Sequence, residues 1–110
     1  MRRFAYAALL TFIAQTAFGQ SGSDAREQLL QLYRITISQD ICSFPLTDQQ
    51  ADVVTRRTDD LESRLDLTEA EAQKLYDQLE AQMLKQKDAG LCNPDGEWAK
   101  AFAALVEAMK

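Results

Sequence analysis

The stretch LTDQQADVVTRRTDDLESRLDLTEAEA, Leu46 to Ala72, contains two helix starts of the same design. Thr47 is followed three residues later by Gln50. In the same way, Thr68 is followed by Glu71. In such a capping box, the threonine hydroxyl and the side chain three residues later each accept a hydrogen bond from an otherwise unpaired backbone N–H. The second start comes 21 residues after the first. The sequence therefore predicts two consecutive helices that form a tight antiparallel hairpin.

Apolar and small side chains recur every three or four residues from each start onward. In the two helices of the hairpin these are Ala51, Val54, Thr58, Leu61 and Leu65, then Ala72, Leu75, Tyr76, Leu79 and Met83. An earlier run and a final run repeat the spacing, with Leu29, Leu30, Leu32, Tyr33 and Ile37, then Trp98, Phe102, Leu105 and Met109. This period predicts amphipathic helices with one apolar stripe each, and no segment alternates as a strand would.

Capping signals set the remaining helix boundaries. Asp24, with a glutamate three residues later, predicts the start of the first helix, which should end near Gln39. Gly90 suits the position that follows the third helix. Asn93, followed by proline, predicts the cap of the fourth helix, with Asp95 as the alternative cap. The prediction is an all-α fold, a small antiparallel four-helix bundle of up-down-up-down topology.

The two cysteines fall in two of the predicted joints. Cys42 lies between the first and second helices, and Cys92 lies between the third and fourth. In an up-down-up-down bundle both joints lie at the same end, so we predict one structural disulfide that staples the bundle. A reactive thiol pair and a metal site are the alternatives. The chain contains no histidine, so a cysteine protease would lack its base.

The N-terminus has the pattern of a secretory signal peptide. Two arginines at positions 2 and 3 precede the apolar run Phe4–Ile13, and the small residues Ala17 and Gly19 follow. The run is about half of the roughly 20 residues that span a bilayer, so no stable membrane anchor is expected after cleavage. We predict cleavage of residues 1–19 and a single helical domain, 20–110. The expected destination is a Gram-negative periplasm, with full secretion as the alternative.

The charge balance restricts the classes of partner. The chain has 12 basic and 17 acidic residues, and loss of the two N-terminal arginines leaves 10 against 17, a net charge of −7. An acidic surface repels phosphate, and no basic stripe is present. Nucleic acid and anionic lipid are therefore not expected as partners.

Candidate residues for chemistry have simpler structural interpretations. Four carboxylates lie beside arginines on the second helix: Asp59, Asp60, Glu62 and Asp66. Neighbouring acidic and basic residues on a helix usually form a solvated face with local ion pairs. The loop Asn93–Glu97 lacks the ligand spacing of a calcium site. Met83 and Met109 fall at core positions rather than in a copper motif. We predict no catalytic residue, no metal site and no cofactor, and hence no enzyme.

These exclusions leave a protein that acts through its surface. Trp98, Tyr33 and Tyr76 are the candidate partner-surface residues, although Trp98 could instead cover the stapled end of the core. The expected function is protein–protein binding, as an accessory subunit of an envelope complex or an inhibitor of an envelope enzyme. The partner's identity and the oligomeric state are not predicted.

Two alternatives remain open. The spacing of Cys42 and Cys92 and the segment GEWAK, Gly96–Lys100, resemble the small acid-activated chaperones of the enterobacterial periplasm. That resemblance implies a helical holdase with one disulfide that loosens at low pH and exposes apolar surface. Protonation of the carboxylates would make this chain strongly positive, and self-repulsion would then favour opening. The other alternative is a carrier that holds a small ligand between the helices.

Overall fold

Four α-helices and the turns between them make up residues 23–109, which are the residues that the computed structural model describes. The helices are α1 (Ser23–Ile41), α2 (Asp48–Arg64), α3 (Glu69–Lys87) and α4 (Glu97–Glu107). Within this range there is no strand, and the predicted all-α four-helix bundle is confirmed. The predicted signal peptide, 1–19, lies outside the described residues.

Both capping boxes of the hairpin are present. At the start of α2, the Gln50 N–H donates to Thr47 Oγ1 at 3.0 Å, and the Thr47 N–H donates to Gln50 Oε1 at 3.0 Å. At the start of α3, Glu71 and Thr68 exchange the same two bonds at 3.1 and 2.9 Å. The hydrogen bond from the Thr68 backbone N–H lowers the pKa of Glu71, and the Thr68 hydroxyl lowers it by a smaller amount. The cap therefore stabilises the folded protein at neutral pH and weakens as this carboxylate is protonated in acid.

Each of the first three helices is followed by a residue with positive φ. These residues are Ser43 (58°), Asp66 (56°) and Gly90 (99°). Around Gly90, the Leu91 N–H donates to Gln86 O and the Gly90 N–H donates to Lys87 O, both at 3.1 Å. This is a Schellman motif, so the prediction for Gly90 is confirmed. The first helix runs to Ile41, two residues beyond its predicted end.

The predicted cap at Asp24 is wrong. Helix α1 begins at Ser23, so Asp24 lies inside the first turn. Its carboxylate Oδ2 accepts a hydrogen bond from Gln28 Nε2 at 3.1 Å. An acidic residue in the first turn still complements the partial positive charge of the helix N-terminus.

The predicted start of the fourth helix is also wrong. Helix α4 begins at Glu97 behind Gly96, without a side-chain cap. Asn93 Oδ1 instead accepts the Asp95 N–H at 2.9 Å, and the Gly96 N–H donates to Asn93 O at 2.9 Å. These bonds close a β-turn in which asparagine, proline, aspartate and glycine occupy positions that favour them. A Cβ at Gly96 would lie only 3.1 Å from Asn93 O, so the turn is tight there.

Helix α1 is the centre of the bundle. Its side chains with no exposed surface are Leu29, Ile35, Ile37 and Ser38. They point in more than one direction around the helix, so the single apolar stripe predicted for this helix is wrong. Although α2 and α3 are joined by a tight turn, each packs its backbone most closely against α1. A helix covered on several sides needs apolar residues around its circumference, which explains this pattern.

The predicted disulfide joins the two helix connections at one end of the bundle. The Sγ atoms of Cys42 and Cys92 are 1.96 Å apart, and their Cα atoms are 5.0 Å apart. Beside this bond, Trp98 Nε1 of α4 donates a hydrogen bond of 2.7 Å to the buried Ser38 Oγ of α1. The ring of Phe102 packs against that of Phe44, with ring centroids 5.2 Å apart. Side chains therefore hold α4 at its N-terminal end.

Reduction of the disulfide should lower the free energy of unfolding by about 4 kcal/mol, because the bond closes a loop across a sequence separation of 50 residues. The measurement is urea unfolding followed by circular dichroism, with and without reductant. The Cys42→Ser/Cys92→Ser double variant serves as the control and should unfold like the reduced protein. A loss below about 1 kcal/mol would contradict a structural role for the bond.

Substitution Trp98→Phe should lower the free energy of unfolding by about 1–3 kcal/mol, because it leaves the buried Ser38 hydroxyl without the indole donor. The substitution Ser38→Ala should lower the free energy of unfolding less in the Trp98→Phe variant than in the wild type. Urea unfolding of both single variants and the double variant gives a coupling energy, for which we expect about 1 kcal/mol. Additive effects would show that the hydrogen bond does not stabilise the packing of α4.

Candidate functional site

An open groove lies where α1, α2 and α4 meet. Its volume is about 440 Å3, and its lining residues are Gln28, Gln31, Leu32, Arg57, Asp60, Leu61, Arg64, Leu105 and Met109. Leu32, Leu61 and Met109 are buried at its base, and Leu105 is half-buried. The groove therefore combines an apolar base with a polar and charged rim, a combination common in binding sites.

Helical spacing explains why these residues share one groove. Helix α2 contributes Arg57, Asp60, Leu61 and Arg64, which are separated by three, one and three residues. Positions i, i+3, i+4 and i+7 lie on one face of an α-helix. Helix α1 contributes Gln28, Gln31 and Leu32 at spacings of three and four, and Leu105 of α4 and Met109, just after α4, complete the lining. All the lining side chains except Met109 thus belong to regular helices.

The rim carries a net positive charge in an acidic protein. Arg64 Nε lies 3.1 Å from Asp60 Oδ2, and both side chains are more than half exposed. An exposed pair of this kind is weak and open to exchange with an external partner. Arg57 has no hydrogen-bond or ionic partner among residues 23–109. The groove can therefore accept a negatively charged group without breaking a strong internal bond.

A second hollow, of about 260 Å3, lies between α1, α2 and α3. Tyr33 is buried, and its hydroxyl donates a 2.6 Å hydrogen bond to Glu62 Oε2. The ring of Tyr76 meets that of Tyr33 edge-on, with centroids 5.4 Å apart. Glu69 adds a second carboxylate to the lining. This hollow is acidic and aromatic, and its tyrosines are used in packing.

Burial raises the pKa of both tyrosines. For Tyr33 the hydrogen bond to Glu62 and the negative charge of that carboxylate add to the effect of burial. For Tyr76 the carboxylates of Glu80, Asp40 and Asp77 add to it, in that order. Both phenols are thus held in the neutral form, which suits a structural contact.

The predicted partner-surface residues do not form one surface. Tyr33 is only 3% exposed, so its prediction as a surface residue is wrong. Tyr76 lines the acidic hollow, while Trp98 borders a separate shallow recess beside Gly90 and Leu91. Trp98 packs edge-on against Phe102 and covers the stapled end of the core. None of the three predicted residues lines the groove.

The arginines of the groove were interpreted in the sequence as part of a solvated face. The signal that could have identified them is the seven-residue spacing of Arg57 and Arg64 around the buried Leu61. Two arginines on either side of one core position lie at the edge of an apolar stripe. Whether that edge is covered depends on where α4 ends, and the sequence analysis predicted no end for this helix.

Two classes of site have no candidate in the described part of the chain. Residues 23–109 contain no group of three or more cysteine, aspartate or glutamate side chains arranged to hold a metal ion. No helix in the same range has both the length and the apolar character needed to cross a membrane. Comparison with protein-family models, characterised proteins and solved structures found no match.

Substitution Tyr33→Phe should make the stability less sensitive to alkaline pH. Unfolded tyrosine ionises near pH 10, whereas the raised pKa keeps Tyr33 neutral in the folded protein. The stability that depends on the neutral phenol is present below about pH 10 and is lost as the pH rises further. We expect the wild type to lose stability more steeply than Tyr33→Phe in urea unfolding between about pH 9 and pH 12. Equal slopes would contradict this role of the phenol.

Proposed function

We propose that this chain is an exported protein that binds another protein through the groove between α1, α2 and α4. The observation that carries the proposal is an apolar base with arginines at its rim, in a chain whose net charge is −5. Most of the surface charge would repel an acidic partner, whereas this groove would attract one. The protein would then act as an accessory subunit of an envelope complex or as an inhibitor of an envelope enzyme.

The shape of the groove favours a protein segment over a small molecule. Ligand pockets usually bury most of their ligand's surface. This groove is partly open to solvent, and its rim side chains Arg64 and Asp60 are more than half exposed. An open groove between helices is the form that binds an amphipathic segment of a partner. We therefore favour protein binding over the carriage of a small ligand as the function.

Site-specific photo-crosslinking tests the proposal. The photoreactive residue p-benzoylphenylalanine replaces Gln31, which lines the groove, and the cells of the source organism are irradiated intact. The control replaces Leu84 on α3, which lies outside the groove and is 45% exposed. We expect one protein to be crosslinked at a fixed ratio from position 31 and not from position 84.

Three outcomes would contradict the proposal. The first is the absence of any crosslinked protein at position 31. The second is crosslinking only from position 84, which would place the binding surface on α3. The third is a crosslink from position 31 to residues 1–22 of the same chain, identified by mass spectrometry, which would make the groove an internal contact.

A further inference from the structure

The groove lies at the C-terminal end of the shortest helix. Helix α4 has 11 residues, whereas α1 has 19 and α2 has 17. At 1.5 Å per residue these are lengths of about 16, 28 and 26 Å. Helix α4 begins at the disulfide end, and its last turn contributes Leu105 to the groove, while Met109 follows the helix.

The other walls come from the far halves of the longer helices. Gln28 to Leu32 belong to the N-terminal half of α1, and Arg57 to Arg64 belong to the C-terminal half of α2. In an antiparallel pair these halves are adjacent. The groove therefore lies between two long helices beside the end of α4, and a groove between helices suits a helical occupant.

The arginines define the charge of that occupant. Arg57 and Arg64 are two helical turns apart, about 10.5 Å along α2. An opposing helix presents carboxylates at this separation when they are seven residues apart, because both then lie on one face. An extended strand needs three residues for about 10 Å, and residues three apart point to opposite faces. A helix therefore matches the spacing of the two arginines more closely than a strand does.

Asp60 restricts the middle of the occupant. It lies between the two arginines and is bonded to Arg64. A carboxylate placed midway on the opposing helix would face Asp60 and be repelled. Next to Asp60 in the chain is the buried Leu61, which lines the groove together with the buried Met109. The middle positions of the occupant should therefore be apolar.

Resting on the proposed function, we infer that the groove binds an amphipathic α-helix of a partner protein. This helix has two carboxylates seven residues apart, with apolar side chains at the third and fourth positions between them. It lies against α1 and α2 beside the end of α4. Residues 1–22 of this chain do not have the required pattern, because they contain no aspartate or glutamate.

The test is the binding of fluorescein-labelled helical peptides to the purified full chain, measured by fluorescence anisotropy. The first peptide has 15 residues, with glutamate at positions 4 and 11, leucine at 7, 8 and 15, and alanine or glutamine elsewhere. The second has lysine in place of both glutamates. We expect the glutamate peptide to bind at least about tenfold more tightly, as expected when one charge pair contributes a factor of ten.

Two neighbouring arginines supply a matched pair of variants. Arg57→Glu should weaken binding of the glutamate peptide at least about tenfold and strengthen binding of the lysine peptide. Arg56→Glu changes the net charge by the same amount. Its side chain is exposed, pairs with Asp52 at 3.0 Å and does not line the groove. This control should change the affinity less than about twofold.

The inference would be overturned if the glutamate and lysine peptides bound with equal affinity, or if neither peptide bound. It would also be overturned if Arg56→Glu and Arg57→Glu weakened binding of the glutamate peptide equally. The crosslinking at position 31 does not depend on the charge of the partner, so it still decides the proposed function. If a partner were crosslinked at position 31 but the peptides bound equally whatever their charge, only the inference of an acidic helix would be rejected, and the proposed function would stand.

Discussion

The Cys42–Cys92 bond determines where the last helix can lie. It ties the turn before α4 to the end of α1, the helix at the centre of the bundle. The buried hydrogen bond from Trp98 to Ser38 then sets the first turn of α4 against α1. The backbones of α2 and α3 pack closely on α1, whereas α4 is held mainly through side chains. In a domain this small, a covalent link compensates for limited apolar burial.

The groove follows from this fixed starting point. A helix of 11 residues that begins at the disulfide end cannot cover the full length of its longer neighbours. The uncovered edge of the α2 stripe exposes Arg57 and Arg64 beside a buried leucine and methionine. Arginine suits such an edge because its aliphatic stem packs on apolar atoms while its guanidinium stays in water. The same feature that leaves the bundle incomplete thus provides a charged, partly apolar surface.

The fold was largely predictable from the sequence, whereas the groove was not. The two capping boxes, Gly90 and the cysteine positions are local signals that do not depend on packing. Ser43 and Asp66 adopt positive φ without being glycine, so the ends of α1 and α2 carried no comparable signal. The burial of Ile35 reflects the central place of α1, which is a property of the assembled bundle. Asn93 closes a turn rather than capping α4, so α4 begins later than predicted. The groove itself depends on where the end of α4 lies against α1 and α2, which is a property of the assembled bundle.

We propose that the face formed by α1, α2 and α4 is the one that contacts a partner. The most direct test of this proposal is hydrogen–deuterium exchange measured by mass spectrometry. The exchange of the free protein is compared with that of the native complex, which is purified by means of a tag on this protein. We expect the partner to slow exchange in residues 28–32, 57–64 and 105–109. We expect no change in α3, whose exposed side contains Leu84. Protection of α3 with no change around the groove would contradict the proposal.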